Sequence, residues 1–419
     1  MSFNTISVIG FGYIGLPTAA IFASCKKQVF GVDINHYVID MINKGKTHII
    51  EPGLDEIVKS AVADGYLKGF SKPQCADAHI IAVQTPLKDN KKPDLTYVRA
   101  ASESIALILK KGDLVILEST SPVGTTDKVS RWMSEIRHDL TFPHQELVDS
   151  DIDVAYCPER VIPGKIIEEL IKNDRIIGGI NKKSSLRATE LYNIFLKGKC
   201  VITNAKTAEM CKLTENSFRD VNIAFANELD LICHKQNINT LELIKLANRH
   251  PRVNILQPGL GVGGHCIAVD PWFIIDQNKE ESFLIRAARF VNDNKPIWVV
   301  NQVKKIIKNL LIKICKKEHE ITIACFGLSF KPNIDDLRGS PSIYIAKKIA
   351  KFNKGKTYIV EPYINVLPSS LLYISELVSI EKAIDESDIF LMLVDHDIFK
   401  NIQHSYFSKK FFIDIKKGV

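Results

Sequence analysis

A short glycine pattern near the start of the chain limits its fold more than any other feature. The run "VIGFGYIG" places Gly10, Gly12 and Gly15 in the spacing G-x-G-x-x-G, after a strand pattern and at the start of a helical one. The first glycine permits a tight turn, the second lets a phosphate approach the backbone, and the third lets helix pack on strand. The pattern therefore predicts a strand, turn and helix that hold a dinucleotide at the helix N-terminus.

The second strand pattern, "QVFGVD", supports this interpretation. It ends in Asp33, about 20 residues beyond the glycines, where an acidic side chain hydrogen-bonds the ribose hydroxyls. A carboxylate repels a 2′-phosphate and no arginine follows in "DINHYV", so NAD is favoured over NADP. Tyr13 and Ile14, inside the glycine turn, are expected to contact NAD through their position alone. A structural turn with an incidental aspartate is the alternative.

Two later strand patterns end in residues that are expected to line the nicotinamide half of the cofactor. "VQTP" contributes Thr85 and Pro86, and "LESTSPVGTT" contributes Thr120 and Thr126. Ligands bind such sheets at the carboxyl ends of parallel strands. Thr85 and Thr126 are explained equally well as caps of the helices that follow them.

Strand patterns alternate with helical patterns in two separate stretches of the chain. The first contains "TISVIG", "QVFGVD", "AHIIAVQTP", "DLVILEST" and "DVAYCPE", and the second "ITIACFGLSF", "KTYIVEPY", "DIFLMLVDH" and "FFIDI". Between them a long helix is predicted from Thr207 to about Gln236. Its apolar stripe comprises Phe218, Val221, Phe225, Leu229 and Ile232. The predicted fold is α/β, with two Rossmann-like parallel-sheet domains, residues 1–205 and 311–419, joined by a helical middle domain, residues 206–310.

Composition excludes several classes of protein. The chain has 419 residues, of which 46% are hydrophobic and 25% charged, and no stretch is long and apolar enough to cross a bilayer. The N-terminus lacks a secretory pattern, so a cytoplasmic location is expected. Nine cysteines without a C-x-x-C pair argue against disulfides and a metal site. The net charge of +7 is spread along the chain, which predicts no nucleic acid partner and allows an anionic small substrate.

Three polar side chains of the long helix share one face. Lys212, Asn216 and Arg219 stand at positions i, i+4 and i+7, away from the apolar stripe. A lysine, an amide and a guanidinium aligned in this way can stabilise an oxyanion. A solvated helix face explains the same trio when it is taken alone.

A glycine-rich segment, "QPGLGVGGHCIAVDPW", contains the strongest candidate for covalent chemistry. Its glycines permit a ligand to approach the backbone, and His265 precedes Cys266. A cysteine here could be a buried filler, a metal ligand or a nucleophile. A nearby cation such as Lys212 or His265 would lower the thiol pKa, and Asp270 follows four residues later, so the nucleophile is favoured.

Six segments together resemble the UDP-glucose/GDP-mannose dehydrogenase family from one end of the chain to the other. They are "GFGYIGLP", "STSPVGTT", "CPERVIPG", "AEMCKLTENSFRDVNIAFANEL", "GVGGHC…DP" and "FKPNIDDLRGSPS". The resemblance implies an enzyme that uses NAD twice to oxidise the C6 alcohol of a UDP-sugar to a carboxylate. It also implies a homodimer built on the long helix and a product used in bacterial surface polysaccharide synthesis.

The resemblance assigns roles to individual residues. Cys266 would capture the intermediate aldehyde, Lys212 and Asn216 would stabilise an oxyanion, and Asp270, Glu159 and Thr120 would orient or activate water. Glu159 as a helix cap and Asp270 as a turn residue are the structural alternatives. Substrate contacts are expected from a set that also includes Lys212 and Asn216: Arg160, Val161, Arg219, His250, Arg252, Gly263, Phe330, Lys331 and Arg338.

The glycine-rich segment also bears on the substrate. His265 and the preceding "RHPR" resemble the branch of the family that oxidises UDP-N-acetyl-D-mannosamine, whereas the UDP-glucose branch carries "GFGGSCFPKD". Two other functions remain open. A single-oxidation dehydrogenase of the β-hydroxyacid type would give Cys266 no role, and a sugar-nucleotide sensor would bind the same ligands without turnover.

Overall fold

The chain forms two compact units in a computed structural model that describes residues 3–145, 149–312, 316–400, 402 and 411–414. Unit 1 comprises Met1–Glu215 and Trp272–Gln277, and unit 2 comprises Asn216–Pro271 and Asn278–Val419. The predicted boundaries near residues 205 and 310 stay a prediction. The last predicted domain, 311–419, includes residues outside the described part of the chain.

Unit 1 is built on an eight-stranded sheet in the order β3-β2-β1-β4-β5-β6-β7-β8. Its strands are β1 (Thr5–Ile9), β2 (Gln28–Val32), β3 (Leu67–Phe70), β4 (Ala78–Ile81), β5 (Leu114–Leu117), β6 (Asp153–Tyr156), β7 (Arg175–Gly179) and β8 (Cys200–Asn204). Every neighbouring pair is parallel except β6 and β7, which are antiparallel. The order 3-2-1-4-5 at one end is that of a dinucleotide-binding sheet.

The helices of unit 1 connect these strands. They are α1 (Gly15–Ser24), α2 (His36–Asn43), α3 (Leu54–Ala63), α4 (Thr96–Ala106), α5 (Thr125–Ser134), α6 (Ile166–Lys172), α7 (Lys182–Tyr192) and the first part of α8 (Ala205–Gln236). Strands β4, β5 and β6 are buried along their whole length, as expected when helices cover both faces of a parallel sheet. Helix α1, "GLPTAAIFAS", is apolar all round and nine of its residues are buried, so it packs in the interior of the unit.

Unit 2 contains the rest of α8 and a five-stranded parallel sheet in the order β11-β10-β9-β12-β13. Its strands are β9 (Ile323–Phe326), β10 (Thr357–Val360), β11 (Glu376–Leu377), β12 (Ile389–Met392) and β13 (Phe411–Asp414). Its further helices are α9 (Thr240–Ala247), α10 (Asp270–Gln277, which continues into unit 1), α11 (Phe283–Leu311), α12 (Pro341–Phe352), α13 (Ile380–Glu386) and α14 (Asp397–Lys400), with a short 3-10 helix at Glu318–Glu320.

The predicted fold class is confirmed, and so are the strands predicted by the β-branched runs. β3, β7, β8 and β11 were not predicted, because "LKGF", "RIIGG" and "CVITN" are short and lack a clear alternation of apolar and polar residues. The predicted strand "FFIDI" ends at Asp414 in the described residues, since Ile415 lies outside them. The loop predicted around "TFPHQELVDSDID" also includes three residues, 146–148, outside the described part.

The long predicted helix is present, but its apolar stripe does not lie in the core. Phe218, Phe225 and Ile232 are 68%, 53% and 44% exposed. Ala226 and Asn227 are fully buried instead, so small and polar residues form the inner face of α8 in unit 2. None of the described helices is both long and apolar enough to span a membrane.

Candidate active site

The glycine turn between β1 and α1 has the geometry that its spacing predicts. Gly10 has φ +97°, and a Cβ placed there would lie 2.5 Å from the carbonyl oxygen of Ala82. A Cβ at Gly15 would lie 1.8 Å from the carbonyl oxygen of Gly10. A Cβ at Gly12 would meet nothing within 4 Å, so the turn is open on that side. Two glycines thus make the turn compact, and the third leaves its backbone accessible.

Asp33 is hydrogen-bonded to the glycine turn through one carboxylate oxygen and to the start of α2 through the other. Oδ2 accepts a hydrogen bond from the backbone N–H of Phe11 at 2.9 Å, and Oδ1 accepts one from Asn35 at 2.8 Å. The ring of Phe11 lies against β2, where a Cβ at Gly31 would come within 1.5 Å of it. The contact between Asp33 and Phe11 was not predicted. It fixes the carboxylate at the end of β2, beside the turn.

The N-terminus of α1 fits a phosphate-bearing group. Ile14, at the N-cap, provides no side-chain hydrogen bond, and the first turn contains no acidic residue. Tyr13 and Ile14 are half-buried. Helix N-termini without a competing carboxylate attract phosphate through backbone N–H groups and the helix dipole. The turn, Asp33 and this helix end together fit NAD.

The ends of β4 and β5 are joined by one of the predicted side chains. The hydroxyl of Thr85 donates to the carbonyl oxygen of Thr120 at 2.7 Å. Both threonines and Pro86 are half-buried. This edge of the sheet therefore brings three predicted residues to one place at the carboxyl ends of parallel strands.

Thr126 has a different environment. It is fully buried, and its hydroxyl and backbone N–H both donate to the Glu209 carboxylate, at 2.7 and 2.8 Å. Gly124 N–H donates to the same carboxylate at 2.6 Å. Glu209, on α8, thereby caps the N-terminus of α5. The sequence pattern did not identify Glu209, because a glutamate inside a helix gives no sign that it caps another helix.

Lys212 and Glu159 meet in unit 1. The Lys212 ammonium donates to the backbone carbonyl of Glu159 at 2.5 Å, and Val161 N–H donates to the Glu159 carboxylate at 2.6 Å. The Glu159 carboxyl is buried, and burial raises its pKa although the charges of Arg175 and Lys212 oppose the shift. A carboxyl with a raised pKa beside a lysine is suited to proton transfer.

Arg160 is held by a carboxylate of the long helix. Its guanidinium makes contacts of 2.8 and 3.1 Å with the two oxygens of Glu215. It also donates to the carbonyl oxygen of Asp174 at 3.3 Å. About a third of each ionic side chain is exposed, so the guanidinium is oriented without being enclosed.

A buried charge cluster next to Glu159 was not predicted. Arg175, at the start of β7, donates to Glu118 at 3.1 Å and lies 4.4 Å from the ring centre of Tyr192. The thiol of Cys157 is part of the same cluster. Burial raises the pKa of this thiol to about 11, which makes it unreactive. No sequence signal marks Arg175, since neither its neighbours nor its spacing relates it to Glu118.

Asn216 and Asp270 form a buried pair in unit 2. The Asn216 amide donates to the Asp270 carboxylate, and the two residues are only 6% and 3% exposed. Arg219, three residues after Asn216, is exposed. The structure therefore separates the predicted helix face into a buried amide and a solvated guanidinium.

Cys266 lies in the turn that precedes α10, and it is exposed. Its carbonyl oxygen accepts hydrogen bonds from Val269 and Asp270, at 2.9 and 2.8 Å. Gly264, two residues earlier, has φ +83°, a left-handed conformation that favours glycine. These backbone hydrogen bonds fix the position of Cys266 relative to Asp270.

The glycine-rich segment packs on the loop after β9 within unit 2. A Cβ at Gly263 would lie 2.7 Å from the Cβ of Phe330, and Gly264 N–H donates to the carbonyl oxygen of Arg338 at 3.0 Å. The Arg338 guanidinium pairs with Asp336 at 2.7 Å. Three predicted substrate residues, Gly263, Phe330 and Arg338, are thus brought together. Glycine is needed at position 263 because a side chain there would collide with Phe330.

The remaining predicted substrate residues are exposed. Lys331 follows Phe330 in the loop, and His250 and Arg252 lie after α9. Arg252 N–H donates to the His250 ring at 3.3 Å. Among the described residues, no group of three or more His, Cys, Asp or Glu side chains could hold a metal ion.

Comparisons with known proteins cover nearly the whole chain. Residues 4–196 match the NAD binding domain of the UDP-glucose/GDP-mannose dehydrogenase family, residues 206–294 its central domain, and residues 324–419 its UDP binding domain. The UDP-N-acetyl-D-mannosamine dehydrogenase of Escherichia coli (strain K12) is 59% identical over 416 residues, which cover 99% of each chain.

Two further proteins extend this similarity. The NDP-N-acetyl-D-galactosaminuronic acid dehydrogenase of Ralstonia nicotianae is 54% identical over 416 residues, covering 99% of this chain and 96% of that protein. The solved structure of the UDP-D-ManNAc dehydrogenase of Pyrococcus horikoshii has a TM-score of 0.86 at 40% identity, covering 97% of this chain and 93% of that one. The glycine turn that fits NAD and the thiol of Cys266 after a glycine-rich segment agree with these matches. The chain therefore belongs to the UDP-glucose/GDP-mannose dehydrogenase family.

Proposed function

We propose that this NAD-dependent dehydrogenase oxidises UDP-N-acetyl-D-mannosamine at C6 to UDP-N-acetyl-D-mannosaminuronate. The observation that carries the proposal is the 59% identity, over 99% of both chains, to a relative named for that substrate. The product is a sugar acid suited to bacterial surface polysaccharide synthesis. Cytoplasmic location is part of the proposal, and the eight described cysteines, none of which forms a disulfide, support it.

The thiol of Cys266 would hold the substrate between two oxidations. The alcohol loses a hydride and a proton to become an aldehyde, and the thiolate adds to the aldehyde carbon. The thiohemiacetal oxyanion formed in this way then loses a second hydride and becomes a thioester, and water cleaves the carbon–sulfur bond to give the acid and free thiol. NAD, when bound, accepts the hydride of each oxidation. The exposure of Cys266 before α10 supports this role.

Neighbouring residues would move protons and stabilise charge. We assign the oxyanion to Lys212 and Asn216, and the orientation or activation of water to Asp270, Glu159 and Thr120. Support comes from the buried Asn216–Asp270 pair and from the raised pKa of the Glu159 carboxyl, which burial causes. The Lys212 ammonium, held on the Glu159 carbonyl, is positioned close to that carboxyl.

Binding of the two ligands would be divided among the predicted domains. The first, 1–205, would bind NAD through Gly10, Gly12, Tyr13, Ile14, Gly15, Asp33, Thr85, Pro86 and Thr126. The UDP-sugar would contact Arg160, Val161, Lys212, Asn216, Arg219, His250, Arg252, Gly263, Phe330, Lys331 and Arg338. Guanidinium groups suit a diphosphate because they can donate two parallel hydrogen bonds. The hydroxyl and the backbone N–H of Thr126 are both bonded to Glu209, so of the proposed NAD contacts this one has the least structural support.

We also propose that the protein is a homodimer. The exposed aromatic side chains of α8, Phe218 and Phe225, support this assembly, because a contiguous exposed apolar face commonly marks an interface.

The test is a panel of UDP-N-acetylhexosamines and UDP-hexoses incubated with NAD and followed by absorbance and product mass. The expected result is turnover of UDP-N-acetyl-D-mannosamine with two NADH formed per sugar acid. One NADH per substrate would instead indicate a single oxidation, and binding of UDP-sugar without NADH would indicate a sensor. The relative from Ralstonia nicotianae is named for an NDP-N-acetyl-D-galactosaminuronic acid, so we include UDP-N-acetyl-D-galactosamine in the panel as the second candidate.

A further inference from the structure

A buried polar cluster lies beneath the loop after β9 in unit 2, and the proposed reaction does not use it. The segment from Ser329 to Asp336, here called the 329–336 loop, carries Phe330 and Lys331. His396, which precedes α14, and Glu361, which follows β10, are both fully buried below it. Charged and titratable groups are rarely buried without a structural or functional reason.

The hydrogen bonds around His396 give each ring nitrogen a different partner. Asn333 N–H donates to Nδ1 at 2.9 Å, so Nδ1 is an acceptor and bears no proton. Nε2 faces the Glu361 carboxylate at 3.2 Å, so Nε2 carries the proton and donates it. His396 therefore bonds two different partners, the 329–336 loop at Nδ1 and Glu361 at Nε2.

Glu361 receives further donors from the start of the loop. Leu328 and Ser329 N–H groups donate to its Oε2 at 2.6 and 3.1 Å. Burial acts to raise the Glu361 pKa, but the bond from His396 and those from the backbone outweigh it, so the pKa is lowered. The carboxylate stays ionised and anchors one end of the loop.

The middle of the loop is held in a left-handed conformation. Asn333 has φ +62°, in the left-handed region. Its side chain makes two bonds with Asp397: Nδ2 donates to the Asp397 carboxylate at 2.7 Å, and Oδ1 accepts from Asp397 N–H at 2.9 Å. Together with the bond to His396, three contacts keep Asn333 in this conformation.

We propose that His396 is a positioning residue for the nucleotide-sugar, acting through the 329–336 loop. This inference rests on the proposed function. His396 contacts the loop through its bonds to Asn333 and Glu361. In the same loop Phe330 packs on the glycine-rich segment, where a Cβ placed at Gly263 or Gly264 would lie 2.7 or 3.0 Å from Phe330. Loss of the Nδ1 acceptor would free the loop and leave Phe330 and Lys331 unpositioned.

Two substitutions of His396 test the roles of its two ring nitrogens separately. In His396→Asn the amide oxygen can replace Nδ1, so the bond from Asn333 is kept and the bond to Glu361 is lost. In His396→Gln the amide nitrogen can replace Nε2, so the bond to Glu361 is kept and the loop is released. We expect His396→Gln to raise the KM for the UDP-sugar about fivefold to tenfold, the effect of losing one hydrogen bond of about 1 kcal/mol. His396→Asn should raise it less, and neither should change the KM for NAD.

A second measurement needs no turnover. Hydrogen exchange of the Asn333 amide should be slow in the wild type and in His396→Asn and fast in His396→Gln, and calorimetry with UDP should show the larger loss of affinity for His396→Gln. Equal KM values and equal exchange in the two variants would overturn the inference. If both variants fail to fold, the wild type provides the test: binding of UDP should slow the exchange of the Asn333 amide, because the ligand and the bond to His396 hold the same loop, and exchange unchanged by UDP would overturn the inference.

The proposed function is judged separately. Wild-type protein that oxidises none of the UDP-sugars would refute the proposed activity, whereas the exchange of the Asn333 amide would still test the role of His396. Wild-type turnover with no difference between the variants would refute the inference and leave the activity intact.

Discussion

The Cys266 thiol is exposed in a turn whose backbone is fixed by Val269 and Asp270. This position suits a nucleophile, because the sulfur is accessible while its backbone is held. We expect Cys266→Ser to abolish acid formation while binding of NAD and UDP-sugar is retained, since a serine hydroxyl is much less ionised than a thiol. Mass spectrometry of the products and calorimetry with each ligand measure the two effects.

A second exposed cysteine gives the matched control. Cys75, between β3 and β4, is also a free and exposed thiol, and it has no proposed role. Cys75→Ser should keep wild-type activity. Acid production by Cys266→Ser at the wild-type rate would exclude the thioester route.

The Glu159 carboxyl should give the enzyme an acid limb in its pH profile. Burial raises its pKa, despite the opposing charges of Arg175 and Lys212, so it retains its proton to a higher pH than an exposed glutamate. If its carboxylate activates water, kcat falls as the pH drops through this raised pKa. We expect Glu159→Gln to lower kcat and to flatten that limb. A Glu159→Gln profile with the wild-type acid limb would assign the titration to another group.

Asp33 should govern the choice of cofactor. Its carboxylate is held beside the glycine turn by Phe11 and Asn35. A negative charge at the ribose repels a 2′-phosphate, so Asp33→Asn should lower the ratio of kcat/KM for NAD over NADP by about tenfold, equivalent to about 1.4 kcal/mol. Steady-state kinetics with both cofactors measure this ratio. An unaltered ratio would mean that Asp33 serves only to hold the turn.

At the scale of elements, helices α8 and α11 are joined by a buried ion pair. Arg289 donates to Asp220 at 2.7 Å, and the two side chains are 1% and 0% exposed. Asn292 also donates to Asp220, at 2.8 Å. We expect Arg289→Met to lower the free energy of unfolding by about 3 to 5 kcal/mol, because it leaves a buried carboxylate without its cation. Urea denaturation measures the loss.

Two further variants check the cause of that loss. Arg286→Met removes an exposed arginine from the same helix and should cost less than about 1 kcal/mol. Arg289→Met combined with Asp220→Asn should recover part of the stability, because no unpaired charge remains. A double variant as unstable as Arg289→Met alone would show that packing, rather than charge, causes the effect.

At the scale of the whole molecule, the outward face of α8 bears on assembly. Phe218 and Phe225 are 68% and 53% exposed and lie seven positions apart, about two helical turns, on one face. If this face forms the homodimer interface, the double substitution Phe218→Ser and Phe225→Ser should shift the protein toward the monomer in sedimentation equilibrium. Leu107→Ser, at a residue 70% exposed next to α4, is the control and should have no effect. A wild-type mass for the double variant would exclude this interface.

Most of the fold was predictable because it depends on local patterns. The glycine spacing predicted the β1–α1 turn, and the β-branched runs predicted five strands of unit 1 and four of unit 2. The antiparallel strand β7 was not predictable, since strand direction depends on pairing with β6, which lies distant in sequence. The exposure of the apolar stripe of α8 was not predictable either, because such a stripe has the same helical period whether it packs in a core or lies at the surface.

The sequence by itself determined the chemistry available to this protein: a glycine turn for a dinucleotide, an acidic residue for its ribose, and a thiol among glycines. These features depend on residue type and short spacing, which the chain carries directly. Only the tertiary structure decided which polar groups are already satisfied. It paired Thr126 with Glu209, Glu118 with Arg175, and His396 with Glu361. Such pairs join residues that are distant in sequence, and their stability depends on burial, which no local pattern records.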